Sequence, residues 1–137
     1  MKRWWLVAVF AGLVLIGCTQ SIISLPSTPL TGTWRSHSAE VTLSGQGGSI
    51  QFGCASGTIS APVILNAQGE FGVNGSYTQG SGVAPPPEVP PPTPQPTVYS
   101  GKVSGDTLTF IFQIKGGSTS GPIMVVRDSP DQVIFCA

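Results

Sequence analysis

Leu108, Phe110, Phe112 and Ile114 alternate with Thr109, Ile111 and Gln113, the longest such run in the chain. A strand sends successive side chains to opposite faces, so this spacing places all four apolar residues against one core. Shorter versions recur. Val41 and Leu43 flank Thr42, and Ile50, Phe52 and Cys54 alternate with Ser49, Gln51 and Gly53. Phe71, Val73 and Tyr77 share a face with Gly75, where a bulge or bend fits, and Tyr99 and Val103 flank Gly101 in the same manner. Thr58–Ser60, Pro62–Leu65, Ile123–Val126 and Val133–Phe135 complete the set, the last putting Ile134 and Cys136 on one face. Turn clusters separate the runs: Ser44–Ser49, Asn66–Gly69, Ser104-Gly105, Lys115–Ser120 and Asp128–Asp131. The 18 glycines and 13 prolines follow no period, which removes collagen-like order. The expectation is an all-β fold, an antiparallel meander of eight or nine strands. Such a sheet buries its apolar face as a small up-and-down barrel or as a barrel-like sandwich.

One stretch breaks the rhythm. From Ala84 to Thr97, eight of fourteen residues are proline, and proline lacks the donor that a sheet ladder needs. A straight polyproline II rod of this length would reach ~35–40 Å. It reads as an exposed insertion between strands, since lengthening a loop costs little. The second reading is a docking arm for an aromatic groove, because Pro87-Glu88-Val89-Pro90 is a P-x-x-P.

The chain opens with Met1-Lys2-Arg3, runs almost wholly apolar from Trp4 to Ile16, and reaches Leu15-Ile16-Gly17-Cys18. A basic start, an apolar run and a small residue before a cleavage point form a secretory signal, and thirteen apolar residues are short for a membrane span. The tetrapeptide also resembles the bacterial lipobox, in which cleavage before the cysteine accompanies its lipidation. That resemblance implies residues 1–17 as signal peptide, 18–30 as a lipidated tether, and 31–137 as the β-barrel-like domain with its proline-rich insertion at 84–97. An ordinary signal peptide or single anchor with an incidental Cys18 is the alternative. Acyl chains on Cys18 would hold the protein to membrane lipid, each buried CH₂ contributing ~0.8 kcal/mol. Thr19 stands where an inner-membrane retention signal would carry Asp. In a Gram-negative host the resemblance therefore implies the outer membrane, facing the periplasm. With Cys18 assigned to lipid, Cys54 and Cys136 remain, and in an oxidising envelope two such cysteines pair. A bridge closing some 80 residues adds up to ~4 kcal/mol by loop entropy. A redox-active pair is the alternative, but such sites use Cys-x-x-Cys spacing.

Leu30-Thr31-Gly32-Thr33-Trp34 resembles the G-x-W opening of lipocalins, avidins and related small barrels. In those families the tryptophan packs across one barrel end, often beneath an arginine, and Arg127 is the candidate for that cover here. The residues after Trp34, Arg35-Ser36-His37-Ser38-Ala39-Glu40, lack the Tyr-Asn pair of the avidin biotin pocket, so the likeness implies architecture and no ligand. Lipoproteins that inhibit lysozyme share the anatomy of anchor, disulfide and small barrel, without their signature sequence appearing here. Small uncharacterised bacterial envelope lipoproteins with an early Gly-Thr-Trp and a late cysteine are nearer in style.

Catalytic chemistry finds little support. A hydrolase needs a nucleophile, a base and an orienting group, whereas His37 is the sole histidine and no G-x-S-x-G is present; Gly53-Cys54-Ala55-Ser56-Gly57 has the wrong order. Glu40, Glu70, Asp106, Asp128 and Asp131 sit among turn residues and read as solvated. No metal ligand set, phosphate loop or cofactor motif is present. Beyond residue 17 four cations face six acids without a basic stripe, which argues against nucleic acid as a partner. The expected function is that of a membrane-anchored, non-enzymatic lipoprotein, a binding or interaction module of the cell envelope. Two more specific forms follow. One carries a small apolar ligand inside the barrel, lined by Phe52, Phe110 and Phe112. The other meets an envelope protein through its loops or proline arm, for instance as inhibitor of a hydrolase such as lysozyme.

Overall fold

The structure is a computed structural model, and it describes residues 28–80 and 86–136. The expected signal peptide, Cys18 and the tether up to residue 27 lie outside the described residues, as do Ala84 and Pro85 of the proline segment. Eight strands follow one another: β1 (Gly32–Arg35), β2 (Ala39–Ser44), β3 (Gly47–Phe52), β4 (Ala55–Ile59), β5 (Glu70–Gln79), β6 (Gln95–Ser104), β7 (Thr107–Ile114) and β8 (Thr119–Arg127). Each pairs antiparallel with the next, and β8 returns to β1, so the meander closes as a barrel. Of the two expected ways to bury the sheet, the chain takes the barrel.

The strand order gives the barrel two distinct ends. Chain entry at Leu30, the β2–β3 turn, the loop from Ser60 to Gly69 and the β6–β7 turn gather at one, here termed the near end. The β1–β2 turn, Gly53-Cys54, the proline arm and the β7–β8 turn gather at the far end. Both near-end hairpins turn in two residues, and Gly105 takes φ +59°, a left-handed conformation that glycine adopts without steric cost. The near-end seal is Leu30, whose N–H donates to the Val63 carbonyl at 2.8 Å, with Val63 fully buried. Leu30, read above as the last tether residue, therefore already belongs to the packed domain.

Three local expectations change. Pro62–Leu65 forms no strand, because the segment crosses the barrel mouth and pairs only through Val63. Val133–Phe135 forms none either. After β8 the chain reverses at Asp128, with φ +53°, and residues 129–136 run back along the outside of β1–β3 as a strap. The proline segment yields its last residues to the sheet: Gln95, Pro96 and Thr97 begin β6. Pro96 is tolerated because it lies at the fraying start of the β7 ladder, where its carbonyl still accepts from the Lys115 N–H at 2.8 Å. The arm itself is no straight rod, for the Val89 N–H donates to the Pro86 carbonyl and turns it.

Glycines on the inner face let so small a barrel curve. Gly48, Gly75 and Gly101 sit where an added Cβ would strike the carbonyl oxygen of Thr42, Thr58 or Thr109 respectively. Gly75 also leaves room for the Tyr99 ring, whose edge lies 3.0 Å from the site of that Cβ. Gly72, three residues earlier on β5, faces outward into open space. Gly75→Ala is expected to cost about 1–3 kcal/mol in urea unfolding, the usual range for overpacking, and Gly72→Ala to stay within ~0.5 kcal/mol. Equal losses at both positions would contradict the corner role.

Candidate functional site

A ligand carried inside a barrel needs an open interior, so the inward side chains come first. Phe52, Tyr77, Tyr99, Phe110 and Phe112 form one aromatic cluster in the far half. Phe52 and Phe112 have ring centroids 5.2 Å apart, and Tyr77 stacks on Phe112 at the same distance. These separations are those of favourable offset and tilted aromatic pairs. The alternation that pointed to Phe52, Phe110 and Phe112 thus brings them together as packing partners. The interior hollow beside them, walled by Val41, Ile50, Leu108 and Tyr99, measures only about 10 Å³. That is close to the minimum for a single water, and drug-sized ligands occupy ~300–1,000 Å³. The barrel is filled by its own side chains.

Among the described residues, Tyr99 is the one buried titratable group. Its hydroxyl donates to the Ser76 carbonyl at 2.6 Å. Burial, reinforced by Tyr77 nearby, pushes the Tyr99 phenol up from 10.0 to about 12. The folded state thus holds this proton more tightly than the unfolded chain. The associated stability is complete below pH ~10 and declines as pH rises toward ~12. Alkaline titration followed by tyrosinate absorbance should show a late step near pH ~12, coincident with loss of stability. Tyr99→Phe should remove that step, and its persistence would contradict the assignment.

At the near end, Trp34 on β1 is fully buried, and the Arg127 guanidinium carbon lies 4.4 Å from its ring centroid. Arg127 Nη1 also donates to the Thr31 carbonyl at 3.1 Å, tying β8 to the chain entry. The two residues are register partners in the closing β1–β8 ladder. This pair is a structural clamp, with Trp34 Nε1 left without a hydrogen-bond partner among the described residues.

The far end brings together what lies apart in sequence. Cys54, between β3 and β4, and Cys136, on the strap, form a disulfide with Cα atoms 5.3 Å apart. The Ile134 N–H donates to the His37 carbonyl at 3.0 Å and the Cys136 N–H to Gly53 at 3.1 Å. His37 Nδ1 lies 3.3 Å from the Gln132 carbonyl and Nε2 3.9 Å from Asp131, so the imidazole bridges turn and strap. Among the described residues no hydroxyl bonds to that ring, and the arrangement offers no activated nucleophile. Nor do the described residues gather three or more potential metal ligands.

Among the described residues four hollows remain on the outside of the wall, one of about 430 Å³ beside Thr97, Val98 and Lys115. The largest, about 580 Å³, overlies Gly101 between β5 and β7, flanked by Glu70 and Lys102. Two others, about 480 and 360 Å³, flank the strap and share Gln51 and Phe135. Arg35 and Glu40 floor the first of these, joined by an ion pair of 2.7 Å. Sequence reasoning did not single out Arg35, Glu40, Gln51 or Phe135 as site residues. The only available signal for the ion pair was its position either side of a hairpin turn, and for Phe135 its place beside a cysteine. No family model, no curated protein and no solved structure matches the chain.

Proposed function

We propose that this protein is a membrane-anchored bacterial lipoprotein, non-enzymatic, whose small lipocalin-like barrel serves as a binding module of the cell envelope. The observation that carries the reading is the separation of the two barrel ends. The chain enters at the near end, where Leu30 bonds to Val63. The disulfide, the last residues of the strap and the exposed proline arm sit at the far end. A chain held to lipid through Cys18 by about ten undescribed residues would reach at most ~35 Å from the membrane before the fold begins. The near end would then turn toward the bilayer and the far end away from it. The filled interior supports recognition on the outside of the wall rather than carriage of an apolar ligand within. In a Gram-negative host the location is the periplasmic face of the outer membrane, on the lipobox and Thr19.

The anchor has a direct test. Metabolic labelling with palmitate should mark the wild-type protein and leave Cys18→Ser unlabelled. Equal labelling of both, or of neither, would overturn the lipid-anchored reading.

A further inference from the structure

The strap presents a puzzle of purpose. Barrel closure is complete at Trp34–Arg127, before the strap begins. Burial does not hold the strap down, since Ile134 and Phe135 remain 69% and 63% exposed. Instead, backbone hydrogen bonds fix the residues on either side of Phe135, and a disulfide fixes its neighbour to the barrel. The consequence is an exposed aromatic side chain carried on a backbone that is held in place. Fixing the backbone beneath an exposed aromatic in advance lowers the entropy lost when a ligand stacks on it.

What surrounds the ring defines the ligand. The hollows on its two sides both include Gln51 and Phe135, so the ring stands between two adjoining hollows. On one side the floor is the Arg35–Glu40 pair, whose opposite charges cancel, and the Asp131 carboxylate, 3.9 Å from His37 Nε2, stands in the same lining. On the other side stand Ser56 and Thr78, register partners across β4 and β5, with the Pro92 ring of the arm above the same hollow. Neither hydroxyl has a hydrogen-bond partner among the described residues, and the Gln51 amide nitrogen is used by Phe52 and Ala55, leaving its oxygen as acceptor. Flat apolar rings alternating with uncompensated hydroxyl and planar amide, guanidinium and carboxylate groups suit a polyhydroxylated ring polymer. Its C–H faces stack on Phe135 and Pro92, and its hydroxyls bond the floor. An anion finds no unpaired cation in either hollow. A peptide added as a further strand would ask for an open strand edge, and the walls beneath, β2, β3 and β4, are paired on both edges.

We propose that the two far-end hollows flanking Phe135 bind a neutral oligosaccharide. The inference rests on the binding-module reading above and names its ligand class, while standing independently of the lipid anchor. The test uses full-length protein in a zwitterionic detergent without a sugar headgroup. Chitotetraose, cellotetraose and maltotetraose are the probes, and binding is followed by isothermal titration calorimetry. At least one should bind with a dissociation constant below about 1 mM. Phe135→Ala should weaken that sugar about tenfold or more, as expected of a central aromatic anchor. Ile134→Ala, equally exposed but outside both hollows, should change it less than about twofold. Binding of none of the three sugars, or equal affinity in Phe135→Ala, would overturn the proposal, as would binding of extended peptides in their place. Loss of sugar binding with intact palmitate labelling would defeat this inference alone, and the reverse would defeat only the anchor.

Discussion

Closure of this barrel falls to two register pairs, Trp34 with Arg127 and Arg35 with Val126. Every other adjacent strand pair has at least four. So short a ladder would fray by itself, and side chains reinforce it. The Arg127 guanidinium covers the buried Trp34 ring, an interaction worth ~0.5–2 kcal/mol depending on how dry it is. The same arginine reaches the Thr31 carbonyl, and the Asp128 N–H donates to Thr33. The remaining length of β8 has no β1 partner. Along this length Pro122 offers no N–H, and the ladder to β7 is itself interrupted by a bulge opposite Phe110–Phe112. Both are devices that keep an unpaired edge from recruiting another strand.

A barrel closed by so few pairs depends on what fills it. Glycine corners let the wall bend tightly enough for Phe52, Tyr77, Tyr99, Phe110 and Phe112 to meet across the interior. That packing leaves a void of only about 10 Å³. The interior is thus occupied by core side chains. The disulfide belongs to an outer layer. It joins strap to wall after the barrel has already closed.

Much of this was legible in the residues. The alternation at Val41–Leu43, Ile50–Phe52 and Leu108–Ile114 set the inward faces of β2, β3 and β7, because a strand's two-residue period leaves no other way to bury them. Cys54 and Cys136 were readable as a pair. Pro62–Leu65 and Val133–Phe135 misled for a common reason. Both are short apolar runs that suit an extended backbone, and nothing local reveals that one plugs a mouth while the other lies along the outside. Pairing decides that, and pairing is long-range. The paired hollows at Phe135 were illegible for the same reason, since Arg35, Gln51, Thr78 and Phe135 come from four separated segments.

The central claim is that the barrel is filled by its own side chains and works from its outer surface. Native mass spectrometry of residues 19–137, exported through a periplasm so that the disulfide forms, tests it most directly. The account predicts the bare mass of the oxidised chain. A retained species of a few hundred daltons, released on denaturation, would contradict it and return the interior to the status of a ligand site.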